Sequence, residues 1–156
     1  MLARRRLLVL IAALFPVLAG PAARAQFQTF PTSQLTIVTA SGPHPFGIEL
    51  ATTPEQMAQG LMFRRQLAPD AGMLFDFGQP IMATMWMKNT LIPLDMLFVG
   101  QDGRIVNIRE RAVPESLDTI AAAAPVRAVI ELNGGTAARL GIRPGDQVVY
   151  PIFEPR

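Results

Sequence analysis

From residue 35 onward, apolar and polar residues alternate in short runs, the two-residue period of half-buried strands. Residues 35–39 and 46–50 predict two strands joined through the turn Gly42-Pro43-His44-Pro45. Thr53-Pro54-Glu55-Gln56 carries a helix start, with Thr as N-cap, Pro at the first helical position and Gln at the capping-box position. The apolar stripe of Met57 and Leu61 is brief, so this helix is short. Strands are then expected over residues 72–77, 81–88 and 94–99, followed by an Asp102-Gly103 hairpin turn into 104–110. Residues 126–132 alternate again. Gly135 to Leu140 gives two helical turns stopped by Gly141, and residues 147–153 form the last strand. Many short strands with two short helices predict an α+β, mainly β fold: a compact curled or barrel-like, mostly antiparallel sheet.

The pleat assigns faces. Along 81–88, Thr84, Trp86 and Lys88 point one way while Met85 and Met87 point the other. A two-residue hairpin turn pairs Leu97 with Ile108 and Val99 with Val106, which places Asp95 on the same apolar face. Lys88 and Asp95 then stand at the two ends of the 89–93 connection. A salt bridge closing that loop and a ligand-facing role both account for the pair.

The first 25 residues read differently. Arg4, Arg5 and Arg6 precede an apolar run from Leu7 to Leu18, and Ala23-Arg24-Ala25 is a small-x-small cleavage site, the order of a secretory signal peptide. Export to the periplasm or the extracellular space after cleavage following Ala25 is expected, with membrane contact only through this segment if it is retained. Residues 26–33, rich in Gln, Thr and Pro, read as a linker, and 34–156 as one globular domain.

This division changes the charge. Four of the 14 basic residues lie within the first 25, leaving ten against 12 acidic residues, a net −2, where the whole chain is +2. With no Lys/Arg run, nucleic-acid binding is not expected. The chain has no Cys, so neither disulfides nor thiolate metal sites are available.

The candidate chemistry gathers between Met85 and Asp95. The only Trp and the only Lys of the chain stand there beside Asn89, Thr90 and Asp95 in apolar surroundings, and polar groups so placed require hydrogen bonds. Lys88 with Asp95 or Glu131 would serve a hydrolase or lyase. His44, the only His, lies between two prolines in a turn, a poor place for a catalytic base. Met73, Met82, Met85, Met87 and Met96 offer soft sulfur to Cu(I), but thioethers in apolar strands ordinarily fill cores, so no metal or cofactor is expected.

Five blocks, in order, are Gly60-Leu61-Met62-Phe63-Arg64, Gly72-Met73-Leu74-Phe75-Asp76-Phe77, Trp86-Met87-Lys88-Asn89-Thr90, Pro93-Leu94-Asp95-Met96-Leu97-Phe98 and Glu131-Leu132-Asn133-Gly134-Gly135. Together they closely resemble the domain of unknown function 192 family over residues 35–149. The resemblance implies a compact, mostly β, commonly exported domain without an established activity. Its matching signature residues are Arg64, Trp86, Met87, Lys88, Asn89, Thr90, Asp95 and Glu131. The expected function is a small exported binding or accessory module for a small polar ligand or peptide. Its site would comprise Trp86, Lys88, Asn89, Thr90 and Asp95, with Arg64 and Glu131 as further polar members. The alternatives are the lysine-dependent hydrolase or lyase, and a structural or partner-interaction domain in which the signature is a folding core.

Overall fold

The computed structural model describes residues 27–153, so the expected signal peptide, residues 1–25, lies outside the described residues. The strands are β1 (Thr32–Thr39), β2 (Gly42–Ala51), β3 (Ala71–Ile81), β4 (Thr84–Met85), β5 (Leu94–Val99), β6 (Ile105–Ala112), β7 (Ile120–Ala121), β8 (Val126–Asn133) and β9 (Gln147–Val149). The helices are α1 (Pro54–Gln59) and α2 (Thr136–Leu140). Seven strands make one sheet in the order β6-β5-β8-β3-β2-β1-β9, while β4 and β7 form a separate ribbon. Neighbours run antiparallel except β2 and β3, whose parallel pairing requires a crossover, supplied by the segment containing α1.

The start of α1 follows the residues that predicted it. The Thr53 hydroxyl accepts from the Gln56 amide at 3.3 Å, and the Gln56 side-chain oxygen accepts from the Thr53 amide at 3.2 Å. Such a cap is worth about 1 kcal/mol.

The central strands are covered on both faces, which is why β5 reads as the unbroken apolar run LDMLFV with one acid. Leu97, Val99, Leu74, Ile130 and Leu132 join one core with α2 residue Ala137. Leu94, Met96, Phe98, Met73 and Val129 build a second core on the opposite face with Leu61 and Met87. The sheet curls until its first and last strands meet. Arg104 forms a bridge to Gln147, the Ile105 amide donates to the Asp146 carbonyl at 3.0 Å, and the Gly145 amide donates to the Ile105 carbonyl at 2.8 Å. The result is a curled half-barrel.

Within the segment 26–33 expected as a linker, the Gln56 amide side chain donates to the Thr29 carbonyl, the Leu50 amide donates to the Pro31 carbonyl, and Phe27 packs edge-on against Phe63. Three expectations are corrected. The strand over 81–88 is broken, with β3 ending at Ile81 and only Thr84–Met85 paired beyond it, because Met87 turns to donate to the Ser116 carbonyl and Asn89 adopts φ 55°. The β5–β6 register pairs Leu97 with Ile108 but Val99 with Ile105, past a bulge. Gly103 lies against β9, where a Cβ would stand 2.6 Å from the Val148 carbonyl oxygen, so the loop needs glycine there and takes more than two residues. Finally, β9 stops at Val149 and the chain turns over residues 151–153.

Candidate functional site: a cavity closed by Glu131

Glu131 lies on β8 between Met73 of β3 and Met96 of β5, its register partners on either side. Strand alternation aims it into the second core, where it is only 4% exposed. It has no hydrogen-bond partner among the described residues, and burial pushes its carboxyl up to about 8. No fully sealed side-chain oxygen among those residues lacks a partner, so the Glu131 carboxyl is open to a cavity.

That cavity, of about 100 Å³, has walls from Met57, Leu61, Met62, Phe75 and Met85. Thr90 also borders it, and Trp86, 49% exposed, stands at its mouth. Two loops are stitched together to shape it. The Phe63 amide donates to the Asn89 carbonyl at 2.9 Å, and the Asn89 side-chain amide donates to the Met62 sulfur at 3.8 Å. Thr90 is buried, its hydroxyl donating to the Lys88 carbonyl at 3.3 Å. A larger, nearly apolar cleft of about 410 Å³ runs along Gln147 to Phe153, but it brings no set of polar groups to one point.

The expected site residues therefore divide. Trp86, Thr90 and Glu131 converge on the cavity. Lys88 sits outside it, its ammonium 5.1 Å from the centroid of the Trp86 ring, so the two do share a side although the strand is broken. Asn89 acts behind the wall, through Met62.

Asp95 belongs elsewhere, and the expected Lys88–Asp95 salt bridge is not formed. Asp95 is fully buried on the face that packs against α2. Its Oδ1 accepts from the Arg111 and Gly135 amides at 2.8 and 2.9 Å, and its Oδ2 from the Ala137 amide at 2.7 Å. These bonds cap α2, whose N-cap residue Gly135 has no side chain to do so. A carboxylate so engaged is no partner for Lys88, which leaves the hydrolase pairing of those two without its geometry. Arg64 is likewise spent, holding Glu49 through two parallel bonds and lying 5.9 Å above the Phe30 ring. The Glu49 bond and charge raise its pKa further.

Sequence reasoning missed Met57 and Met62. The signal was present in part, since Met57 and Leu61 form the stripe of α1. Periodicity gives only a short apolar face, because nothing local reveals that Met57 of α1 and Glu131 of β8 border one cavity.

A curled, mainly β single domain with one buried acid opening into a small cavity of mixed lining is the class of protein that fold and site define. The model of the DUF192 family, described as an uncharacterized ACR, matches residues 36–150, and the chain belongs to that family. No curated protein matches it. Among solved structures, a Sinorhizobium meliloti protein described as a candidate transcription regulator is 50% identical, with a TM-score of 0.76 over 80% of this chain and 97% of that one. A Novosphingobium aromaticivorans protein of unknown function is also 50% identical, with a TM-score of 0.75 over 76% of this chain and 85% of that one.

Proposed function

We propose that the protein is an exported binding module that receives a small ligand in the cavity above Glu131. The observation that carries this reading is the Glu131 carboxyl, buried, without a hydrogen-bond partner among the described residues and open to the cavity. In such low-dielectric surroundings a hydrogen bond or opposite charge offered by a ligand counts for more than it would in water. The cavity admits a group of a few heavy atoms. Thr90 and the Trp86 ring add a hydroxyl and a flat apolar wall. Export is supported by the basic, apolar and small-x-small order of residues 4–25. The regulatory role in the Sinorhizobium relative's description gains no support from charge, since residues 26–156 carry ten basic against 12 acidic residues.

Trp86 is the only tryptophan and reports on the mouth of the cavity. Its fluorescence, together with amide shifts around Glu131, is to be followed against a panel of small amines, alcohols, amides and monovalent metal ions. At least one probe perturbs both readouts in the native protein and neither in Glu131→Leu. A panel without such a probe would sink the reading.

A further inference from the structure

We infer that the cavity is a thioether site for a soft monovalent cation, Cu(I), held by the sulfurs of Met57, Met62 and Met85 with the Glu131 carboxylate as its counter-charge. This deepens, and rests on, the reading of the cavity as a ligand site.

The described methionines fall into three groups. Met73, Met87 and Met96 are fully buried in the second core, as filler should be, and Met82 is 60% exposed. Met57, Met62 and Met85 are half-buried, and all three border the same cavity. They come from α1, from the turn that follows it and from β4, so the fold rather than a local run assembles them. Met57 and Met85 also pack against the margin of the second core, but with Met62 they border the one cavity that Glu131 faces.

The chemistry of this donor set is selective. Thioether sulfur is a soft, neutral ligand that suits Cu(I). The chain has no Cys, and its one His bonds Thr39 and Ser41 on another part of the sheet, so thioethers are the soft donors at this site. With the Glu131 proton released to solvent on binding, three neutral sulfurs and one carboxylate balance a single positive charge, whereas a divalent ion would be left uncompensated in a partly desolvated site.

Two further groups bear on such a site. The Asn89 amide donates to the Met62 sulfur and orients it, the service that outer hydrogen bonds give to metal ligands. The Trp86 ring, which carries the Lys88 ammonium 5.1 Å from its centroid, stands at the mouth and so reports occupancy of the cavity.

The test uses protein labelled at the methionine methyl carbons and Ag(I), a redox-inert stand-in for Cu(I), followed by Cu(I) under anaerobic competition with a chromogenic chelator. The first equivalent of Ag(I) shifts the Met57, Met62 and Met85 methyls, leaves Met82 in place and quenches Trp86 fluorescence. Met62→Leu and Met85→Leu each weaken binding by about tenfold or more, whereas Met82→Leu does not. Unmoved cavity methyls, or Met82 responding in parallel with them, would overturn the inference, and this readout on the native protein needs no variant to fold. If an organic probe engages Glu131 while Ag(I) does not, the metal inference falls and the cavity reading stands. If nothing in the panel engages it, both fall.

Discussion

Asp95 and Ala137, 42 residues apart, are joined by a 2.7 Å bond from the Ala137 amide to the Asp95 carboxylate, which fastens α2 to β5. The same carboxylate holds the Gly135 and Arg111 amides, so one side chain fixes the helix start and the end of β6, where Arg111 takes a φ of 47°. Asp95→Asn exchanges one acceptor oxygen for an N–H donor facing other donors. It is expected to cost about 3 kcal/mol, read from the urea unfolding midpoint.

Lys88→Ala, by contrast, should leave unfolding within about 0.5 kcal/mol of the native protein, because the exposed ammonium meets, among the described residues, the Trp86 ring alone. A loss matching that of Asp95→Asn would mean that the two residues are coupled after all. A double-mutant comparison of the same unfolding curves decides it.

Glu131 makes stability depend on pH in a defined window. Its folded value of about 8 lies above its ordinary 4.5, so between these limits the folded protein binds more protons than the unfolded chain. Stability is therefore highest below the lower limit and falls as pH rises towards 8, by about 1 kcal/mol per pH unit at the steepest. Glu131→Gln keeps the shape and removes the titration. Urea midpoints for this variant should lose the decline, and an unchanged decline would assign it to another group.

Asp76 acts at the acid end. Burial raises its carboxyl, but the Arg127 bonds, the Gly78 amide and the Arg127 charge together hold it below the ordinary carboxylate range. The pair is partly exposed and bidentate, with the Arg127 Nε 2.7 Å from Oδ1. Because the folded value is depressed, this contribution is present above the unfolded value of 3.8 and is lost as pH falls through the depressed one. Arg127→Met should cost about 1 kcal/mol at neutral pH, after allowance for solvent screening, and little in strong acid. Acid titration of both proteins by circular dichroism measures the difference.

Two glycines with positive φ provide a packing contrast. At Gly103 a Cβ would stand 2.5 Å from the Gln147 side-chain nitrogen and 2.6 Å from the Val148 oxygen, whereas at Gly141 nothing lies within 4 Å. Gly141→Ala carries only the backbone penalty of about 1 kcal/mol, while Gly103→Ala adds displacement of β9 and should cost about 2–3 kcal/mol. Thermal unfolding should rank them in that order.

Much of the sheet was legible because its signals are local. Alternation marks β1 and β2, and Thr53 with Gln56 marks the start of α1. The site was legible only in part. Trp86 and Lys88 were placed on one side by strand parity, and they do share it, yet the chain there has left the ladder. Asp95 was paired with the nearest cation in sequence, whereas its partners are backbone amides that carry no sequence signature. Met57 and Met62 meet Glu131 only through the docking of α1 and its following turn, a long-range arrangement invisible to periodicity.

The meeting of Arg104 and Gln147 also bears on the exposed rims of the sheet. An open sheet presents bare strand rims that can template another chain. Here the outermost strands lean on each other at that bridge. Further along β6, the Asn107 side chain bonds the Ala121 carbonyl and the Ala123 amide, drawing that segment over the flank. β9, only three residues long, offers little backbone for strand addition, and the longer rim is the eight-residue β6.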